Sequence, residues 1–341
     1  MGRTVFMGQD AQANAVELGI SELSRGLTDS LPSIVGNIYH VCPYTGSDTL
    51  NNGLSPASPF KTLVKALAVC TANQNDTVIL HSQGNAKALT TVEQAATLDW
   101  NKDLVHLIGV NSGVSISPRS RIAFTDAYAV ASNLFTVSAS GCLFRNLLFV
   151  VEVASVLPTG CVKITGARNR FEQCHFAGFV ATTNDIAGAY ALKLDGAEEN
   201  EFDHCVIGTF TLARGSQLNS EILFDTAAKE NLFENCRVVS QVSHATNHVL
   251  VEVADATGID AFNYFRNTLF LYQSANYAVA ATGVFRLPAL TQGYFAVDAL
   301  CMAISDAPAT LIKWDVNSRD KIAIVGPVKP AGDTSNVGLL V

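Results

Sequence analysis

The sequence predicts an all-β fold, a right-handed parallel β-helix built from coils of about 30 residues. Three observations predict it. Phenylalanine recurs at Phe144, Phe171, Phe202, Phe233, Phe265 and Phe295, in steps of 27, 31, 31, 32 and 30 residues. The neighbours recur with it: two residues before stand Cys142, Asn169, Asn200, Asn231, Asn263 and Gly293, and three residues after stand Leu147, Cys174, Cys205, Cys236, Thr268 and Asp298. Between the motifs lie short β-rich runs punctuated by Gly, Asn and Asp, such as Val162-Lys163-Ile164-Thr165 and Val249-Leu250-Val251-Glu252-Val253, which is a strand-and-turn pattern and not a helical one.

The unit reads N-x-F-x-x-C-x-F, as in Asn169 to Phe176. The positions three and five after the Phe share parity and point to one side of a strand. The Phe has the other parity, so a bend must lie between. The two residues at the bend are polar in five copies, from Arg145-Asn146 to Arg266-Asn267, and Asn tolerates the left-handed backbone that a tight corner requires. Stacked coils rise ~4.8 Å each. They would place Phe on Phe and Cys on Cys, with the corner amides in a hydrogen-bonded ladder.

The flanking elements follow in chain order. Residues 1–40 read as an N-terminal arm for docking or oligomerisation: Val16, Ile20, Leu23 and Leu27 form a helical stripe that Gly19 and Gly26 interrupt. The β-helix with its lead-in is expected over residues 41–300. Ser58 as N-cap and Pro59 at the first helical position, followed by Phe60, Leu63, Val64 and Leu67, predict a short capping helix near residues 58–70. Asp76–Leu80 and Leu104–Ile108 read as the first strands. Residues 301–341 form a C-terminal cap and tail, with Leu311–Trp314 and Ile322–Val325 as a hairpin-like pair.

Composition narrows the function classes. Hydrophobic residues make up 48% of the 341 and charged residues 15%, with a net charge of −8. No Lys/Arg cluster offers a nucleic-acid face, and no apolar run reaches the length of a membrane span. The start of the chain does not read as a signal peptide. None of the eight cysteines forms a C-x-x-C pair, so reduced, buried thiols are expected and no zinc site or cofactor. His244 and His248 stand four apart on loop and strand, a poor metal pair.

Tyr44-Thr45-Gly46-Ser47-Asp48, Asn52-Gly53-Leu54-Ser55-Pro56, Pro59-Phe60-Lys61-Thr62-Leu63 with Ala66, and the N-x-F-x-x-C-x-F coils together resemble pectate-lyase-like parallel β-helix proteins, of the kind found in bacteriophage decoration proteins and tailspikes. The resemblance covers residues 40–300. It implies a stiff rod used outside cells. Without a signal peptide, it implies a virion protein made in a host cytoplasm.

Candidate chemistry is sparse. No P-loop, H-E-x-x-H or G-x-S-x-G motif is present. Glu172, Asp203 and Glu234 hold one repeat position in three successive coils, so neighbouring carboxylates should stand ~5 Å apart and the outer two ~10 Å apart, spacings that glycosidases use. The plainer reading is a solvated corner flanked by Arg145 and Arg266, and no residue is assigned a catalytic role. Tyr190, Tyr264, Tyr272 and Tyr277 are the candidates for sugar stacking. The expected function is a non-enzymatic structural protein of a bacteriophage virion, a head decoration or short spike. The alternative is a tailspike-like polysaccharide depolymerase acting on host surface glycan. Expected partners are its own copies, as a trimer, and capsid or tail proteins through the arm.

Overall fold

The computed structural model describes residues 36–83, 91–110, 114–125, 128, 132–153, 158–244, 247–274, 283–304, 313–315 and 321–324. The expected arm therefore lies outside the described residues, apart from residues 36–40.

Parallel strand pairs wind the chain into a right-handed β-solenoid with three faces. The first face stacks Ile38–Val41, Thr77–His81, His106–Val110, Leu143–Arg145, Arg170–Glu172, Glu201–Asp203 and Leu232–Glu234. It continues through the beginnings of Phe262–Ser274 and Tyr294–Ile304 to Ile322–Ile324. The second face stacks Thr91–Gln94, Ser120–Phe124, Leu147–Val151, His175–Phe179, Val206–Ile207 and Arg237–Val242, then the remainders of the two long strands. The third runs from Leu98–Trp100 through Asn133–Val137, Gly160–Ile164, Tyr190–Asp195, Asn219–Asp225, His248–Val253 and Gly283–Arg286 to Lys313–Asp315.

The inferred bend is the corner between the first and second faces. Its second residue is left-handed in five coils: Asn146, Gln173, His204, Asn235 and Asn267 have φ of 55, 52, 52, 53 and 48°. One left-handed residue reverses the inward parity of the chain. The Phe before the corner and the Cys after it can then both face the core, which a continuous strand would forbid. A further left-handed residue, at Arg168, Glu199 and Glu230, turns the chain into the first face.

Inside, Phe144, Phe171, Phe202, Phe233 and Phe265 stack with ring centroids 4.7, 4.9, 4.4 and 4.7 Å apart. Phe295 does not continue the stack. Val297 is in register with Phe265, and Phe295 takes the position of Asn263. Aligning Phe295 with Phe265 therefore puts this copy two residues out of register; the last coil also lacks a corner residue, since the register shifts between Arg266 and Thr268.

The principal amide ladder is not at the corner but two residues before each Phe. Asn169, Asn200, Asn231 and Asn263 are buried. The backbone N–H of Asn169 donates to Asn200 Oδ1 at 3.0 Å, that of Asn200 to Asn231 Oδ1 at 3.1 Å, and that of Asn231 to Asn263 Oδ1 at 3.2 Å. The side-chain amides bond along the same line, from Asn200 to Asn231 and from Asn231 to Asn263. Buried backbone donors at a turn must be satisfied somewhere, and here the next coil's asparagine does it. The corner holds a shorter ladder, Asn267 to Asn235 at 2.7 Å and Asn235 to Asp203 at 3.2 Å.

The capping helix expected near residues 58–70 is present, with a later start. The helix is Leu63–Val69, capped by Thr62, whose Oγ1 accepts the N–H of Lys65. It starts late because Phe60 is held extended in a bridge with Val41, while Asp48 accepts the N–H groups of Lys61 and Thr62. Leu63, Ala66 and Leu67 are buried. The hairpin-like pairing expected near the C-terminus is corrected for the described residues. Lys313–Asp315 and Ile322–Ile324 pair in parallel with strands one coil back, since each finds a register mate in the stack that the other could not supply.

Candidate functional site

Because Phe144 and its successors point inward, the residues on either side of them point out. Registration lines these up as two rows on the outer surface of the first face. One reads Leu143, Arg170, Glu201, Leu232, Tyr264, Ala296; the other reads Arg145, Glu172, Asp203, Glu234, Arg266, Asp298. The carboxylate stack Glu172, Asp203, Glu234 thus forms as the spacing requires, with Arg145 and Arg266 flanking it.

Arg170, in the neighbouring row, changes what that stack can do. Its guanidinium bonds Glu172 and Glu201 and reaches Asp203 Oδ2 at 3.4 Å. Arg145 Nε lies 3.5 Å from Glu172, and Arg266 Nη2 lies 2.7 Å from Glu234 Oε2. Each of the three carboxylates therefore faces a guanidinium. Partly exposed pairs of this kind add little stability, but they occupy the oxygens that hydrolysis would need.

Beyond Glu234 the ladder opens into a groove of about 460 Å³, lined by Leu232, Tyr264, Phe265, Arg266, Ala296 and Asp298. The side chains explain it. Ala296 follows Tyr264 in the row, and its short side chain leaves the space, while Tyr264 and Tyr294 remain 40% and 45% exposed. Phe262 packs edge-on against Tyr264, at 4.7 Å between centroids, and tilted against Tyr294 at 6.1 Å. The result is a braced aromatic surface beside a charged rim.

The other expected aromatics do not join it. Tyr190 and Tyr272 are buried; the Tyr272 hydroxyl donates to the Gly283 carbonyl at 2.6 Å and accepts from the N–H of Leu250. Tyr277 lies outside the described residues. His244 and His248 do not converge on a metal. His244 accepts the N–H of Asn247, His248 is buried, and no group of three or more metal-ligating side chains occurs among the described residues.

His248 instead belongs to a buried polar network that the repeat did not announce. Arg214, Asn219, Glu221 and His248 are all 1% exposed or less. Asn219 Nδ2 donates to Asp185 Oδ1 at 2.6 Å, which leaves Asn219 Oδ1 to accept from His248 Nδ1, also at 2.6 Å. His248 Nε2 lies 3.3 Å from Glu221 Oε1. Burial raises the Glu221 pKa, but Arg214 and then His248 outweigh it and hold the carboxyl below its ordinary value. The guanidinium of Arg214 lies over the Phe179 ring and donates to the Ala189 carbonyl. Walled in by the coils, the network pins the turns that lead into Asn219–Asp225. It offers no surface to a ligand.

No family model and no curated protein matches the chain. Among solved structures, a pectate lyase is similar at 13% identity, over 83% of this chain and 80% of that one, with a TM-score of 0.46. A pectin methylesterase from Aspergillus niger is similar at 11% identity, over 89% and 94%, with a TM-score of 0.47. A rhamnogalacturonan lyase is similar at 15% identity, over 76% and 74%, with a TM-score of 0.44. The likeness is one of fold; the site is read from its own side chains.

Proposed function

We propose that the chain is a rigid β-helix that engages a surface polysaccharide along the outside of its first face. The observation that carries this reading is the groove at Tyr264: exposed, braced aromatic rings beside polar groups are what a pyranose ring, apolar on its faces and polar at its edge, requires. Of the two functions expected from the sequence, the polysaccharide-directed one accounts for this surface. Cleavage, in this reading, falls to Glu234 and Asp298, which flank Arg266 in the ladder. Two coil rises separate them by ~10 Å, near the upper end of the spacing that inverting glycosidases use. Glu234 is ion-paired like its neighbours, so a bound sugar must displace Arg266 from it. Glu172 and Asp203 take no part, because they stand two coils and one coil farther from the groove than Glu234.

The ion-paired state of the ladder favours a second reading, in which the protein binds glycan without cleaving it, as a non-enzymatic spike or decoration on a bacteriophage particle. One experiment separates the two. The purified chain is incubated with host capsule or O-antigen, and both retention on the glycan and the appearance of new reducing ends or unsaturated products are measured. Retention lost in Tyr264→Ala supports engagement at the groove. Turnover abolished by Glu234→Gln establishes the depolymerase, whereas retention without turnover establishes the spike. Retention unchanged in Tyr264→Ala overturns the placement of the site.

A further inference from the structure

The charges around the groove point to the kind of sugar it takes. Arg266 is the guanidinium in its lining, and that group is turned to Glu234 at 2.7 Å in the preceding coil. Asp298, in register with Arg266, is exposed at the rim and adds a negative charge beyond that pair. The two outer rows as a whole carry five carboxylates, on Glu172, Glu201, Asp203, Glu234 and Asp298. Against them stand three guanidinium groups, on Arg145, Arg170 and Arg266. The whole chain carries −8. An anionic sugar lying along this face would meet net repulsion and would have to break an existing ion pair to gain a cationic contact. A positively charged group would meet a carboxylate and the face of an aromatic ring, two features that attract cations independently.

We propose that the groove takes a glycan bearing free amino groups, with an ammonium seated between the ring of Tyr264 and the carboxylate of Asp298, and that it discriminates against polyuronates. The proposal rests on the glycan reading above and specifies its substrate class. Ala296 supplies the room: its side chain is a single methyl and it stands beside Tyr264, so a substituent on the sugar can reach down between the ring and the rim.

The test compares three oligosaccharides of equal length on the full chain: a glucosamine oligomer, its N-acetylated counterpart and a galacturonate oligomer, titrated calorimetrically at low and at moderate salt. The amino oligomer is expected to bind about tenfold more tightly than the acetylated one, the size of an ammonium held by one carboxylate and one ring, and the galacturonate more weakly than either. Asp298→Asn should remove most of the difference between the first two without changing the melting temperature. Asp255→Asn, a change to an exposed carboxylate in a different turn, should leave it intact. Tyr264→Ala should weaken both. If the acetylated or uronate oligomer binds as well as the amino one, the amino selectivity is wrong while glycan engagement stands. Equal loss in Asp255→Asn and Asp298→Asn would show unspecific attraction and overturn the seat at Asp298. If none of the three is bound, the glycan reading falls and this inference with it.

Discussion

Phe202 lies between Phe171 and Phe233, nearly parallel to both, and is fully buried. The coils above and below are fixed by strand pairing and cannot close on a gap. Phe202→Ala should therefore cost about 3–5 kcal/mol, read as a lower urea midpoint; an unchanged midpoint would refute the stacking register. The thiols beside these rings are hydrogen-bond donors in a small space. Cys174, Cys205 and Cys236 each lie 3.3–3.5 Å from the carbonyl of a Phe one coil back, and Thr268 makes the same contact to Phe233 at 3.1 Å. Cys205→Thr should thus be tolerated better than Cys205→Leu, which overfills the site and loses the donor. Burial pushes the Cys205 and Cys236 thiols well up, so they should resist alkylation until the chain is denatured and then titrate as free thiols. The Phe and Cys rows were legible because they repeat. Arg214, Glu221 and His248 were not, because each occurs once and its partners lie in other coils. Removing the Glu221 carboxylate leaves the Arg214 guanidinium buried without that counter-charge, so Glu221→Gln should destabilise by about 3–5 kcal/mol.

Two histidines give individual coils an acid limit. His175 accepts the N–H of Ser117 at Nδ1 and faces the Gly208 carbonyl through Nε2; His106 accepts the N–H of Leu143 at Nδ1. A ring that accepts on one nitrogen must be neutral. Burial accordingly lowers both pKa values to about 4. The unfolded chain takes up these protons near pH 6.5 and the folded chain only near 4, so the stability they confer is complete above 6.5 and is lost as the pH falls toward 4, up to ~3 kcal/mol for each ring. Melting temperatures recorded across that window should fall steadily. His175→Gln, which can still accept and donate, should flatten the slope, and an unaltered slope would remove His175 from the account. Parity required a bend after each Phe, and a single left-handed residue supplies it. The amide ladder was expected at that same corner because Asn recurs there, yet burial decides where an amide is indispensable, and the buried asparagines stand two residues before the Phe. The helix began later than Ser58-Pro59 suggested, since a β-bridge at Phe60 and the Asp48 carboxylate are tertiary contacts that no local pattern encodes.

On the scale of the whole molecule, the mean hydropathy of +0.24 and exposed side chains such as Leu300, at 71%, and Leu218, at 56%, bear on assembly. Apolar outer faces on a thin rod are stabilised by side-by-side packing, and rotational symmetry closes such contacts without leaving an open one. Light scattering on the purified chain is expected to report an oligomer, in keeping with a trimer; a monomer at micromolar concentration would defeat this. Under the spike reading, deleting residues 2–36 should leave the solenoid folded and abolish incorporation into particles, and continued incorporation would show that the arm is not the anchor. The asparagine ladder has one further consequence. Each rung offers the next coil the same N–H donors and asks of it the same amide carbonyl, so it dictates which residue sits at the turn and is indifferent to how many turns precede it. A duplicated or excised stretch of about 31 residues, beginning and ending at an asparagine of the series, meets an unchanged template on both sides. The length of the rod is then a quantity that recombination can adjust in whole steps, while the core chemistry stays as it was.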